Sequence, residues 1–592
     1  QRTFEEIMSA ITTEIFNQKL LEILLAHNKE FTKRLVDNNH NQTFFEITNN
    51  SEHGDLTTNF AMMYAKSFKM NPVKLAQILV NGFEKNKKKL FIKDIKIAGP
   101  GFLNLYLDQS FWHQTLGYIK SNLIDYGFEN IGNGSKVNVE YVSANPTGPL
   151  HIGHCRGAII GDVIASLYNK MGFDVTREYY VNDAGGQIEQ LVYSVESKYR
   201  DKASINPNEQ DITYDGQYIN DIAGELFKKY QDSLFEKANH NKIIKDCAIT
   251  HILNLIKLDL NKVNIKHDIF FSEASLLAND EISKTMEYLK EKKYIYWGKL
   301  PLPKNQEDVE LEQREQDIFA STMFGDDIDR AVSKEDGSHT YFASDIAYHQ
   351  NKISRGFSKL INIWGADHAG YVKRLQGAVS ALSDGQAGVE VVLCQLVKLF
   401  RDNKPVKMSK RNNDYVTIGE VVNEVGPDPV RFMMLYRKSD APLDFDFVKV
   451  CDKSKENPVF YVQYAYARIQ SVIRNWNDEN NHDFIRDFNE LEIEFNMINH
   501  TQEINLIKKM SYFPILLKNV VVTNDVHRIA YYLHELASDF HALWNLGNDN
   551  ENLRFITNDN KKTLQRLSFI YLISQIIERG LDLLGVSYPE RM

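Results

Sequence analysis

At 592 residues the chain is past the size at which one hydrophobic core keeps growing, so about three domains are expected. Hydrophobic content of 43% with 25% charged residues excludes intrinsic disorder, and a net charge of −10 excludes a surface that coats nucleic acid throughout, leaving a local basic track. The four cysteines, Cys155, Cys247, Cys394 and Cys451, form no C-x-x-C pair, which argues against a disulfide framework or a structural zinc; with no long apolar run and no export signal, a cytoplasmic protein with no membrane partner is expected.

From Thr3 to about Asp37, Ile7, Ile11, Ile15, Leu20, Ile23 and Leu24 recur at helical spacing, and residues 61–80 do the same. Strand-like pieces at 44–47 and 92–107 complete a small α+β domain over residues 1–117. Its charge run, Lys85, Lys87, Lys88 and Lys89, reads as a solvated helix end or as an RNA backbone contact. Residues 137–142 alternate as a strand, a Pro/Gly loop follows, 152–169 read as a helix and 173–181 as a second strand. That unit opens a parallel, Rossmann-type sheet. The sheet domain is expected over 118–450, with a mostly helical, polar insertion at about 187–335 and strand signals resuming at 360–364 and 389–393. Residues 451–592 turn to long amphipathic helices, at 457–475, 507–522, 525–544 and 561–584, which predicts an all-α bundle. The fold class is therefore multidomain α/β: a parallel-sheet catalytic domain with a helical insertion, between a small α+β domain and a helical bundle.

The chemistry is concentrated in Asn145-Pro146-Thr147-Gly148-Pro149-Leu150-His151-Ile152-Gly153-His154 and in Lys407-Met408-Ser409-Lys410. A helix starting near Ile152 puts His151 and His154 on its first turn, where free N–H groups and the positive dipole end favour an anion. Imidazole donors placed there stabilise the charge that grows on an α-phosphate when a carboxylate attacks it. Gly153 between them admits a flat adenine ring. Lys407 and Lys410, in a short charged loop, are suited to close over the β- and γ-phosphates and the leaving pyrophosphate. The alternative for the histidines is a surface pair or half of a metal site, with no third ligand evident; for the lysines alone it is solvated surface.

These two motifs are similar to the HIGH and KMSKS signatures of class I aminoacyl-tRNA synthetases, with Arg411 in place of the final serine. The chain resembles arginyl-tRNA synthetases in particular, through Gly54-Asp55-Leu56-Thr57-Thr58-Asn59, Gly99-Pro100-Gly101-Phe102-Leu103-Asn104, Val139 to His154 and Tyr180-Val181-Asn182-Asp183-Ala184-Gly185. Further matches are Tyr341-Phe342-Ala343-Ser344-Asp345, Gly365-Ala366-Asp367-His368-Ala369-Gly370-Tyr371 and the segment from Leu584 to Met592. In many members of that family a lysine stands three residues before the first histidine and the lysine loop is degenerate; here Gly148 holds that position and both loop lysines are present.

The resemblance implies an arginine-tRNA ligase that uses ATP with Mg2+, L-arginine and tRNA(Arg), works as a monomer, needs no zinc, and activates arginine only with tRNA bound. It implies that Glu140, Asn145, Tyr341 and Asp345 contact arginine. Chemistry supports this for the two carboxylates, since a guanidinium needs acceptors for paired hydrogen bonds; an ion pair for Glu140 and a helix cap for Asp345 remain the alternatives. Gly153, Gly365, Asp367, His368, Gly370, Val406 and Met408 are the implied ATP contacts, with a sheet-edge turn the alternative for Asp367, His368 and Gly370. Asn182 and Asp183 serve either the active site or the turn at Gly185 and Gly186. Phe102 and Asn104 are implied contacts for the tRNA elbow, and Tyr461, Tyr464 and Arg468 for unpaired anticodon bases, against core packing for most of those aromatics. The competing readings are a cysteinyl-type synthetase, which requires a zinc site of cysteines and histidine, and a catalytically silent tRNA-binding paralogue, which has no reason to keep both motifs.

Overall fold

The computed structural model describes residues 12–28, 44–48, 51–205, 212–300, 315–406, 416–452, 454 and 456–592. The first domain sets helix α1 (Thr12–His27) and helix α2 (Pro72–Glu84) against an antiparallel sheet in the order β1 (Glu46–Ile47), β2 (Leu56–Thr58), β4 (Phe102–Leu107), β3 (Ile92–Ala98). Phe16 of α1 is the centre of its core, with Phe45, Phe83 and Phe111 rings at 5.9, 6.4 and 6.0 Å. The single helix expected over 61–80 is two, because Asn71 Oδ1 accepts from Val73 N at 2.9 Å and Pro72 occupies the first helical position, a new start signal in mid-pattern. The strand-like run at 92–107 is likewise a hairpin, turning at Gly99 and Gly101, whose φ angles of 50° and 139° suit glycine. Helix α3 (Gln109–Ser121) leads out of this domain.

A five-stranded parallel sheet forms the centre of the molecule. Its strands are β5 (Lys136–Glu140), β6 (Asp174–Val181), β7 (Ile269–Ser272), β11 (Lys359–Gly365) and β12 (Gly388–Cys394), arranged β12-β11-β5-β6-β7. Strand order reverses between β5 and β11, so the crevice at their carboxyl ends is where such a sheet binds ligands. Helix α4 (Ile152–Lys170), which follows β5, is buried along most of its length.

The segment expected to be one insertion is interrupted. Helices α5 (Gly186–Ala203), α6 (Gln217–Tyr230) and α7 (His240–Lys262) leave the sheet, then Ile269–Ser272 rejoins it as β7. A four-residue strand carries too short a pattern to stand out in a helical, polar stretch. A second excursion, the antiparallel strands β8 (Ile295–Gly298), β9 (Gln316–Phe319) and β10 (Arg330–Ala331), precedes helix α8 (Tyr341–Ser354); helix α9 (Val372–Ser383) links β11 to β12.

Beyond β12, strands β13 (Val397–Arg401), β14 (Lys404–Pro405) and β15 (Leu443–Asp446) make a small sheet beside helices α10 (Ile418–Val425) and α11 (Pro427–Leu435). The last part is a bundle of α12 (Pro458–Asn480), α13 (Thr501–Thr523), α14 (His527–Asp549) and α15 (Asn560–Leu584). Helix α13 also meets the first domain and α4: Lys508 pairs with Asp55 at 2.7 Å, Lys518 with Glu14 at 2.8 Å, and Tyr168 OH donates to Val521 O at 2.7 Å.

Candidate active site

Strand β5 ends at Glu140, after which Val142 (φ 71°) and Ser143 (φ 41°) enter the left-handed region, a conformation that a β-branched residue adopts only when its surroundings impose it. Strand β6 does so. Ser143 Oγ accepts from Tyr180 N and donates to Glu140 Oε1, both at 3.1 Å, and Tyr179 OH donates to Ala144 O at 2.7 Å. The Pro/Gly loop is pinned from above by α6, where Tyr218 OH donates to Thr147 O at 2.9 Å.

His151 is the N-cap of α4. Its Nδ1 accepts from Gly153 N at 3.1 Å, and His154 Nδ1 accepts the His151 N–H at 3.4 Å, a capping box made of two imidazoles. A neutral ring that accepts at Nδ1 carries its proton on Nε2. The paired rings, with centroids 3.9 Å apart, therefore offer two Nε2–H donors at the positive end of a 19-residue helix. Burial, and then the neighbouring His151, hold the pKa of His154 down to about 3, so that ring is neutral at physiological pH. A Cβ on Gly153 would stand 2.8 Å from His151 Cε1. A side chain there would press on the imidazole folded over it.

Lys407, Met408 and Lys410 lie outside the described residues. Both flanks of that stretch are described: Val406 N donates to Leu399 O at 2.9 Å, continuing the β13–β14 hairpin, and His151 bridges Thr417 antiparallel, with Ile152 N to Val416 O at 3.0 Å and Ile418 N to Leu150 O at 3.2 Å. Residues far apart in sequence are thereby joined backbone to backbone at the histidine turn. Thr417 and Glu420 cap α10 reciprocally at that junction.

Facing the carboxyl ends of β5, β6 and β7 is an acidic pocket. Glu140 has the buried ion pair: its Oε2 takes Lys352 Nζ at 2.6 Å, with Lys352 fully buried. Asp345 lies inside α8, whose cap is Thr340, so the capping alternative for Asp345 falls away; its Oδ2 accepts from Tyr371 OH at 2.6 Å. Burial, with the Glu140 charge adding to it, pushes the Asp345 carboxyl up to about 6. Glu273, the first residue after β7, is buried and hydrogen-bonded to Tyr180; burial and then the Asp345 charge push it up to about 7. Turned so that its amide nitrogen faces acceptors, Asn182 donates to Glu273 Oε2 at 2.6 Å. Glu273 and Lys352 are absent from the sequence reading, and Tyr180 and Tyr371 enter it only within matched segments without a role; Glu273 carries no signal beyond a carboxylate after a short apolar run. Asp183 accepts from Ser272 Oγ at 2.6 Å and Ala274 N at 2.8 Å, which makes it the clasp between β6 and β7.

The remaining expected contacts lie on several elements. Asn145 Nδ2 donates to Gln187 Oε1 at 2.7 Å, and Tyr341 at the start of α8 is 74% exposed. Gly365 closes β11, and Asp367, His368 and Gly370 follow in a 3-10 turn, with Asp367 and His368 paired at 3.5 Å on an exposed rim. Phe102 is exposed; Asn104, which shares its face of β4, is buried beside β2, its Oδ1 accepting from Thr57 Oγ1 at 2.8 Å. On α12, Tyr464 is exposed and lies 4.3 Å from the Arg468 guanidinium, which also covers Trp544 at 4.7 Å, while Tyr461 packs on His541 at 4.4 Å. Among the described residues, no three His, Cys, Asp or Glu side chains gather as they would around a metal ion, and no helix is long and apolar enough to cross a membrane.

A parallel sheet with an imidazole-capped helix at its switch point is the arrangement of a class I aminoacyl-tRNA synthetase, and residues 119–380 match the family model described as tRNA synthetases class I (R), catalytic domain. Residues 13–107 match that of the arginyl tRNA synthetase N terminal domain, and 462–592 that of the DALR anticodon binding domain. The chain belongs to the arginyl-tRNA synthetase family: it is 45% identical to an arginine–tRNA ligase of Brucella anthropi over 92% of this chain and 94% of that one. It is 46% identical to one of Bartonella henselae over 92% and 93%. A solved structure from Campylobacter jejuni, described as an arginyl-tRNA synthetase, superposes with a TM-score of 0.69 at 33% identity, covering 82% of this chain and all of that one. The Thermus thermophilus arginyl-tRNA synthetase, at 17% identity with a TM-score of 0.68, covers 98% of this chain and 100% of its own, and shares the fold.

Proposed function

We propose that this chain joins L-arginine to tRNA(Arg) in two steps within the crevice between β5, β11 and α4. The observation that carries the reading is the buried group of carboxylates, Glu140, Asp345 and Glu273, together with the His151 and His154 imidazoles paired on the start of the helix that follows β5. In the first step an arginine carboxylate oxygen bonds to the α-phosphorus of MgATP, the α–β bridging bond breaks and pyrophosphate leaves. In the second, the terminal ribose hydroxyl of tRNA attacks the acyl carbon, and AMP departs with the anhydride oxygen. His151 and His154 donate from Nε2 to the α-phosphate oxygens as their charge grows, where fixed donors are most effective. Asp345 and Glu273 receive the guanidinium; Lys352 engages one Glu140 oxygen, so Glu140 shapes this wall and its free acceptor capacity remains available to arginine. Asn145 holds the backbone end of the amino acid and Tyr341 covers the side chain.

Gly153, Gly365, Asp367, His368, Gly370, Val406 and Met408 border the nucleotide, and Lys407 and Lys410 take the pyrophosphate. Residues 1–117 meet the tRNA elbow through Phe102, residues 118–450 carry the chemistry, and residues 451–592 read the anticodon with Tyr461, Tyr464 and Arg468. In keeping with the family resemblance, we take the enzyme to act as a monomer in the cytosol and to activate arginine only once tRNA is bound. The test is to charge mixed tRNA with each labelled amino acid in turn and to follow arginine-dependent pyrophosphate exchange with and without tRNA. Charging by arginine alone and exchange only with tRNA are expected. Preference for another amino acid would refute the assignment, and tRNA-free exchange would refute the tRNA requirement.

A further inference from the structure

Asp428 and Arg431, one turn apart on α11, take no part in the chemistry above, yet Arg431 is fully buried. Its guanidinium donates from Nε to Leu584 O at 2.6 Å, from Nη1 to Val263 O at 2.5 Å and from Nη2 to Asp162 Oδ2 at 2.7 Å. The first acceptor ends α15 of the C-terminal bundle, the second caps α7 of the insertion, and the third lies two turns along α4 from His154. Helix C-termini gather unsatisfied carbonyls and the negative end of the dipole, so a cation between two of them is strongly held.

No other side chain makes these contacts at once. The rigid fork of a guanidinium has the required number and direction of donors, whereas an ammonium is a point charge on a flexible stem. The site is built around the group: Gly585 caps α15 at φ 65°, and a Cβ there would stand 2.5 Å from the guanidinium atoms. Asp428 extends the clasp, accepting Ser587 N at 3.1 Å and Gln463 Nε2 at 2.9 Å, and so ties α12 and the segment after α15 to the same short helix.

We infer that Arg431 is a positioning residue through which the C-terminal bundle sets the alignment of α4 with α7, so that tRNA held by the bundle is registered at the histidine turn. The inference rests on the reading above in taking that bundle to hold tRNA. Packed helices shift as units rather than deform, so a displacement of the end of α15 passes through the guanidinium to Asp162 and along α4.

The test compares full-length wild type with Arg431→Met, Asp162→Asn and the double variant, measuring kcat per titrated active site at saturating tRNA, the Kd for tRNA and the melting temperature. Expected are a fall of ten-fold or more in kcat per site for each single variant, a tRNA Kd within three-fold of wild type, and a double variant no worse than the poorer single one, as for two parts of one connection. A purely structural role would lower the melting temperature and the active-site titre but leave kcat per site within two-fold, and that result would overturn the inference. If Arg431→Met does not yield folded protein, Asp162→Asn decides the matter by the same thresholds. A wild type that binds tRNA but does not charge arginine would sink the functional reading instead, before any variant is compared.

Discussion

Two residues of the pocket give it a pH signature. Asp345 and Glu273 are raised to about 6 and about 7 by burial and by neighbouring charges, so in the ligand-free protein both hold protons near the acid side of neutrality. A guanidinium between them favours the ionised forms and expels those protons. Affinity for arginine should therefore rise with pH through about 6 to about 7 and flatten above; calorimetry in buffers of different ionisation enthalpy would read the proton release, and a flat profile with no release would contradict the placement. Because these folded pKa values lie above their ordinary ones, the same groups stabilise the ligand-free fold at low pH and lose that contribution as pH rises from about 4 through about 7. Saturating arginine should remove that slope. Asp345→Asn should lower arginine activation by roughly 100-fold or more, since a buried partner of a charged group is lost.

At the scale of elements, the strand, loop and helix from β5 through α4 to β6 were legible because each carries its own signal: alternation, Pro and Gly, then an apolar helical period. What was not legible depends on partners distant in sequence. The left-handed Val142 and Ser143 exist because β6 holds them, and the four residues of β7 are a strand because β6 is beside them. Glu273 gains its character from burial next to Asp345, which no local pattern contains. Gly153 illustrates the same point, since its constraint comes from a side chain two residues away rather than from its own backbone. Gly153→Ala should push the His151 ring off its cap, costing about 1 kcal/mol of stability and at least ten-fold in pyrophosphate exchange. Wild-type exchange with an unchanged melting temperature would show that the ring has room.

At the scale of the whole molecule, the first and last domains are not appendages. Helix α13 takes Tyr168 of α4 and salt-bridges the first domain, and the end of α15 is seated on Arg431. The bundle was legible as long amphipathic helices; its attachment was not, because Arg431 and Asp162 look like ordinary charged residues until the fold buries them. Removing residues 451–592 should therefore expose the buried guanidinium and the apolar flank of α4, giving insoluble or inactive protein rather than a minimal activating enzyme. A soluble truncated chain that forms arginyl-adenylate at the full-length rate would contradict that dependence.

The central claim is that a guanidinium and an α-phosphate meet between the acidic pocket and the imidazole-capped helix. A crystal structure of the full-length protein with a non-hydrolysable arginyl-adenylate analogue tests it most directly. The account predicts the guanidinium within hydrogen-bond distance of Asp345 and Glu273, and the Nε2 atoms of His151 and His154 directed at the group that replaces the phosphate. A guanidinium bound away from both carboxylates, or imidazoles turned from the analogue, would contradict it.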